Sequence, residues 1–153
     1  LIVVDIPPAR SSGTPIDYVH AMQNVPLATL SHRRDVEQAL ANMIPDPKVR
    51  GFLVTNIMTQ PEGLKWIANL DVIERYFDKI LAWPDSVNGY QFSRPTLFLE
   101  GEHSGFVGPE HAEVIHKLFP VANRQVIENA GHWIHVENTE AFLHAVRAFM
   151  ESS

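Results

Sequence analysis

Three short apolar segments constrain the fold of this chain more than any other feature. They lie at Leu1–Ile6, Pro95–Gly101 and Arg124–Ile127. Such short, mostly apolar runs, bounded by proline, glycine or polar residues, are typical of strands buried in a parallel sheet. A helical pattern follows each of the last two segments after a short connection. This alternation predicts an α/β fold, with a parallel sheet covered by helices.

The two helical patterns have recognisable start signals. Pro109 suits the first position of one helix, and Asn138 suits the N-cap of the other. The apolar residues that follow recur at helical spacing. In the first helix they are Ala112, Ile115, Leu118 and Phe119, before Pro120, and in the second Phe142, Ala145, Val146 and Phe149.

The first apolar segment stands at the very start of the chain. A buried strand is an unusual place for a chain to begin, because termini usually lie at the surface of a domain. We therefore expect these 153 residues to be the C-terminal part of a longer protein, whose N-terminal half completes the same fold.

Residues 9–92 have mainly helical patterns, unlike the strand-containing segments on either side. A single crossover between two parallel strands is much shorter, so we expect a helical cap or lid inserted into a core formed by residues 1–8 and 93–153. Gly63–Asn69 is predicted as a short strand or a docking loop. Three helices are predicted, one capped by Ser31 with Val36, Leu40 and Met43, one starting near Pro47, and one capped by Asp71 and ending near Pro84.

The composition excludes several classes of protein. Twelve Lys and Arg against 18 Asp and Glu give a net charge of −6, which disfavours binding to nucleic acid or to an anionic membrane surface. No apolar run approaches the roughly 20 residues of a membrane-spanning helix. The sequence contains no cysteine, which excludes disulfides, thiolate metal sites and a cysteine nucleophile.

Residues with useful chemistry follow the predicted strands. In open parallel sheets the ligand crevice lies at the carboxyl ends of the strands. Asp5, Gly101–Gly105 and Gly131–Trp133 all follow such ends. An acid followed in the chain by a histidine matches the last two members of a Ser, Asp or Glu, His triad in α/β-hydrolase order. The nucleophile motif Gly-x-Ser-x-Gly is missing from the 153 residues, and Ser104 in Gly-Glu-His-Ser-Gly has the wrong spacing.

The sequence resembles the C-terminal portion of α/β-hydrolase-fold serine esterases of the abhydrolase-domain-containing protein eleven type and of their bacterial esterase relatives. The resemblance extends over essentially the whole chain. It is carried by Leu1–Pro8, Leu64–Asn69, Pro95–Gly101, Ser104–Val107, Leu118–Pro120 and Asn129–His135.

This resemblance implies an α/β-hydrolase fold and hydrolysis of esters or thioesters of small to medium acyl groups, without a cofactor. It implies that His132 is the catalytic histidine and Asp5 the acid, with Ser104 as an auxiliary partner. Glu102 remains the rival acid, because most α/β-hydrolases place the acid after the later strand. The nucleophile elbow is expected upstream of Asp5, outside this sequence.

Other candidate residues have secondary interpretations. Trp66, Phe106 and Trp133 are candidates for lining the substrate pocket, since aromatic side chains contribute large apolar area. His135 is expected to be structural. The histidine spacing, at His111 and His116 for example, does not match a metal site, so no metal is expected.

A second function class stays open alongside the hydrolase. The missing nucleophile motif is also compatible with a truncated, non-catalytic isoform or a pseudoenzyme that acts as a binding module.

Overall fold

A computed structural model describes residues 1–11, 16–87 and 89–152. The strands are β1 (Ile2–Val4), β2 (Ile57–Gln60), β3 (Gly63–Trp66), β4 (Thr96–Gly101) and β5 (Ala122–Ile127). The α-helices are α1 (Asp17–Gln23), α2 (Arg33–Leu40), α3 (Pro47–Leu53), α4 (Leu70–Arg75), α5 (Phe77–Leu81), α6 (Ala112–Leu118), α7 (Ile134–Glu137) and α8 (Thr139–Ser152). Short 3₁₀ turns lie at Leu27–Thr29, Val54–Asn56, Asp85–Val87 and Pro109–His111.

The chain divides into two compact units. The first comprises Leu1–Gly13 with Leu81–Ser153, and the second comprises Thr14–Ile80. The assignment of residues 9–92 to a lid stays a prediction.

The first unit is built on a parallel sheet with the strand order β1-β4-β5. One face of the sheet packs against α8, and this cluster comprises Leu97, Leu99, Ile127, Ala130, Ile134 and Ala145. The other face packs against α6, and this cluster comprises Phe98, Val107 and Ile115. Helices on both faces of a parallel sheet confirm the predicted α/β class.

The three strands differ in burial because of their places in the sheet. Every residue of β4 is buried, as expected for a central strand. The three residues of β1 are half-buried, and they pack on both faces of the sheet, Ile2 and Val4 on the α8 side and Val3 on the α6 side. Among the described residues β1 pairs only with β4, which leaves its other edge uncovered.

The final helix begins where the sequence predicts. The Asn138 side chain accepts a hydrogen bond from the backbone N–H of Ala141 at 3.2 Å, which is N-cap geometry. Its amide also donates to the carbonyl of Glu128 at 2.9 Å and ties the helix start to the loop after β5. The predicted apolar face of α8 packs on the sheet.

The second unit has its own core and one antiparallel hairpin. Its buried residues come mainly from α1, α2, α3 and the segments between them, and include Met22, Val36, Leu40, Ile44 and Ile57. The hairpin pairs β2 with β3 around Gly63, whose φ of 125° lies in the region that favours glycine. The sequence predicted β3 as one of two options and missed β2, whose alternating polar residues give a weak strand signal.

Two predicted helix starts in the second unit were wrong. The N-cap of α2 is His32, and Asp35 accepts hydrogen bonds from the N–H groups of both His32 and Ser31. The carboxylate at the third helical position therefore sets the helix start, and the Ser31 hydroxyl does not. Since α2 ends at Leu40, Met43 lies beyond the helix.

The helix predicted from Asp71 to Pro84 is two helices. Asn69 is the N-cap of α4, because its side chain accepts from the N–H of Val72 at 3.1 Å. The helical backbone is interrupted at Tyr76 (φ −108°, ψ 14°), and α5 then ends at Leu81. In the described residues, no helix is both long and apolar enough to cross a membrane.

Candidate active site

Asp5 occupies an unusual backbone position directly after β1. Its φ of 49° lies in the left-handed region, which few residues other than glycine adopt but which aspartate tolerates. The Asp5 N–H still donates to the carbonyl of Leu99 at 2.8 Å and continues the pairing of β1 with β4. The turn therefore places the carboxylate at the carboxyl end of the central strand.

The Asp5 carboxylate is buried and fully hydrogen-bonded. Oδ1 accepts from the backbone N–H of Gly101 at 3.1 Å. Oδ2 accepts from the hydroxyl of Ser104 and lies 2.8 Å from Nδ1 of His132. A buried charge is costly unless such partners replace its water, so this carboxylate is held in one orientation by three donors.

His132 presents one ring nitrogen to Asp5 and the other away from it. A carboxylate only accepts hydrogen bonds, so Nδ1 carries the proton and the neutral imidazole has its lone pair on Nε2. The His132 side chain is 44% exposed, whereas that of Asp5 is 0% exposed. Within the described part of the chain, Nε2 has no hydrogen-bonding partner. The contact with Asp5 therefore leaves Nε2 of His132 as the ring nitrogen that is open to a further hydrogen bond.

Gly101 lets the two loops that carry this site approach each other. A Cβ at this position would lie 2.2 Å from the carbonyl oxygen of Gly131 and 2.7 Å from that of Ala130. Only glycine fits this approach without displacing backbone. The loops are also joined by the bond from the N–H of His103 to the carbonyl of Ala130, at 2.9 Å. His132 follows directly, so the approach fixes its distance from Asp5.

Ser104 and Glu102, the two auxiliary candidates, have different surroundings. Ser104 contacts the same carboxylate oxygen of Asp5 as His132 does. Glu102 is exposed, accepts from the N–H of Asn129 at 2.8 Å, and lies 3.8 Å from Nε2 of His103. The structure thus brings Asp5, Ser104 and His132 together and places Glu102 in a separate contact.

The three aromatic candidates for lining the substrate pocket have different surroundings. Phe106 stacks directly on the imidazole of His132, with ring centroids 3.8 Å apart and planes 12° apart. Trp133 is half-buried and its carbonyl accepts from the N–H groups of Val136 and Glu137 at the start of α7. Trp66 lies in the second unit, where its indole N–H donates to the carbonyl of Met22 at 3.0 Å. The sequence missed the stacking of Phe106, because nothing in the spacing of Phe106 and His132 indicates it.

A partly buried ion pair between Glu100 on β4 and Arg124 on β5 joins the two strands next to the site. Nε and an Nη of Arg124 contact the carboxylate of Glu100 at 2.6 and 2.9 Å. The hydrogen bond to Glu100 raises the pKa of the Arg124 guanidinium above its ordinary value. Arg124 also donates to the carbonyl of Gly108 at 3.4 Å, beyond the loop that carries Ser104 and Phe106. No cluster of metal-binding side chains occurs within residues 1–11, 16–87 and 89–152.

The fold agrees with comparisons to known proteins. The profile of the α/β-hydrolase fold family matches residues 23–139. The chain therefore belongs to the α/β-hydrolase family.

Individual relatives show which members of this family the chain resembles. The sn-1-specific diacylglycerol lipase ABHD11 of Xenopus laevis is 36% identical over 160 residues, which cover 100% of this chain and 50% of that protein. Esterase YbfF of Escherichia coli is 27% identical over 150 residues, which cover 98% of this chain and 57% of that protein. The solved structure of a marine microorganism esterase superposes with a TM-score of 0.90 at 27% identity, over 97% of this chain and 59% of that one. The chain thus spans about half the length of the curated relatives it matches.

Proposed function

We propose that this chain is the C-terminal part of a serine hydrolase that cleaves carboxylic esters or thioesters, with Asp5 and His132 as two members of its triad. The observation that carries the proposal is the 2.8 Å contact between Asp5 Oδ2 and His132 Nδ1. These residues are 127 positions apart and follow two different strands of the sheet. The relatives named as lipases and esterases support the same class of reaction.

The proposed reaction uses His132 first as a base and then as an acid. A serine hydroxyl from a segment outside these 153 residues attacks the carbonyl carbon, and its proton moves to Nε2 of His132. The imidazolium then returns that proton to the leaving alcohol or thiol, which leaves an acyl-serine. Water repeats both steps, so a carboxylic acid is released and the serine is restored.

Asp5 acts on His132 through Nδ1, the ring nitrogen that does not exchange the proton with the serine. Its carboxylate keeps the proton on Nδ1, so that Nε2 is the nitrogen available to the serine. When Nε2 has accepted a proton, the carboxylate stabilises the positive charge across the 2.8 Å hydrogen bond. Ser104 donates to the same carboxylate oxygen and thereby restrains its position.

The test is ester hydrolysis by the product of the complete gene, compared with two histidine variants. We expect His132→Ala to lower kcat for p-nitrophenyl esters by about 10³-fold or more. His135→Ala is the matched control, since His135 is exposed and its ring contacts Phe142 instead, at 6.2 Å between centroids. Equal rates of hydrolysis by the wild type and His132→Ala would contradict the proposal, and a wild type that hydrolyses no ester would favour a non-catalytic binding module.

A further inference from the structure

We propose that Phe106 is a positioning residue for His132, which it holds by its flat stack on the imidazole; this inference rests on the proposed function for its catalytic consequence. Asp5, Ser104, Phe106 and His132 form a closed circuit of contacts. Asp5 bonds His132, the phenyl ring of Phe106 covers the imidazole, the N–H of Phe106 donates to Ser104 Oγ at 3.2 Å, and Ser104 donates to Asp5.

The hydrogen bond to Asp5 leaves one motion of the imidazole unrestrained. A single contact at Nδ1 fixes that edge of the ring but still permits rotation about the line from Nδ1 to Oδ2. His132 lies in a loop and its side chain is 44% exposed. Part of the ring therefore faces solvent, which does not oppose this rotation as packed side chains would. A phenyl ring at 3.8 Å and 12° covers one face of the imidazole and opposes the rotation sterically. The direction of Nε2 is then set by an edge contact and a face contact together.

Phe106 is itself well anchored for this role. It packs against the buried cluster of Phe98, Val107 and Ile115 on the α6 side of the sheet. Its backbone N–H is held by Ser104, which is in turn fixed by the bond from its own N–H to the carbonyl of Gly101 at 3.0 Å. The phenyl ring that stacks on His132 is therefore anchored in the core of the first unit.

The stack also bears on the proton-transfer step. The face of an aromatic ring carries negative charge and attracts a cation held above it. A neutral imidazole gains little from this attraction, whereas the imidazolium that follows proton transfer gains more. The contact thus strengthens as the reaction proceeds, which is the condition for an interaction to raise kcat.

The experiment compares Phe106→Leu with Phe106→Tyr and with Phe119→Leu in the product of the complete gene. Leu removes the aromatic face, and Tyr keeps it. Phe119 is the matched control because it is also half-buried and packs on the same cluster, edge-on to Phe98 at 5.2 Å. The direct readout is nuclear magnetic resonance of ¹⁵N-histidine-labelled protein, in which the Nδ1–H proton of His132 is assigned by its loss in His132→Gln.

We expect the wild type, Phe106→Tyr and Phe119→Leu to show one His132 tautomer with a slowly exchanging Nδ1–H proton. In Phe106→Leu that resonance should be lost to exchange with water, and kcat for p-nitrophenyl esters should fall about tenfold with KM little changed. An unchanged His132 resonance in Phe106→Leu, or an equal loss in Phe119→Leu, would overturn the proposal. If the wild type hydrolyses no ester, the proposed function fails, while the resonance alone still decides whether Phe106 positions His132.

Discussion

At the scale of single residues, the site depends on a carboxylate that has no exposed surface. Asp5 reaches His132 only because its backbone adopts a φ of 49° after a three-residue strand. A residue held in this left-handed region has a raised conformational free energy, which the surrounding contacts must offset. Here the bonds to Gly101, Ser104 and His132 offset it.

The identity of the acid gives the first prediction. Asp5→Asn removes the charge and allows the amide to donate to Nδ1, which would favour the wrong imidazole tautomer. We expect kcat for esters to fall by about 10³- to 10⁴-fold. Glu102→Gln should leave kcat nearly unchanged, because Glu102 contacts Asn129 and His103. Steady-state kinetics check both variants, and the opposite order would identify Glu102 as the acid.

Gly101 gives a second prediction at this scale. Gly101→Ala would place a methyl group 2.2 Å from the carbonyl oxygen of Gly131, so we expect a loss of about 2–3 kcal/mol in the free energy of unfolding. Gly51→Ala is the control, since Gly51 lies within α3 with nothing within 4 Å of the added Cβ. Alanine there should raise stability by up to about 1 kcal/mol. Urea denaturation measures both changes, and a neutral Gly101→Ala would contradict the close approach.

At the scale of elements, the pairing of β4 with β5 depends on one ion pair as well as on backbone hydrogen bonds. The side chain of Glu100 is 8% exposed, so its charge relies on Arg124. Removing one partner of a buried pair leaves an uncompensated charge.

Because the side chain of Arg124 is itself 30% exposed, water reaches the carboxylate in its absence, and we expect Arg124→Met to lower the free energy of unfolding by about 1–3 kcal/mol. The double variant Glu100→Met with Arg124→Met should recover most of that loss, because no unpaired charge then remains. Urea denaturation of the single and double variants measures the coupling between the two positions. A double variant as unstable as the single one would show that packing around Arg124, and not the buried charge, is responsible.

The contact between α1 and α4 has a defined pH dependence. The hydrogen bond from Gln23, with His20 nearby, lowers the pKa of Glu74 below its ordinary value of 4.5. A lowered carboxyl pKa stabilises the fold above that ordinary value, and the stabilisation is lost as the pH falls through the lowered pKa. We expect Gln23→Ala to shift the pKa of Glu74 upward. A carboxyl-carbon NMR titration of both proteins measures the shift, and an unchanged midpoint would contradict the assigned cause.

The sequence predicts those elements whose signal is local and misses those whose signal is not. The β4 strand, α8 and its Asn138 cap follow directly from apolar spacing and from a single side chain. The start of α2 was wrong because the carboxylate of Asp35 accepts from the backbone N–H groups of Ser31 and His32 and makes His32 the N-cap. Asp5 and Glu102 both follow strands of the sheet that His132 follows, so the strand order left the acid open, and the resemblance to a known family favoured Asp5. The stack of Phe106 could not, since it depends on the path of the loop after β4.

At the scale of the whole molecule, this chain carries a buried acid and a histidine with a free nitrogen, and matches about half the length of its curated relatives. The function proposed above needs a serine from a segment outside the 153 residues. A serine activated by His132, as proposed, would react with a fluorophosphonate.

The most direct test is the intact mass of the protein from its complete gene, before and after a fluorophosphonate probe. We expect a mass above 17.2 kDa, one probe adduct on a serine upstream of Asp5, and no adduct in His132→Ala. A protein that gains no adduct, or that gains one equally well without His132, would contradict the central claim.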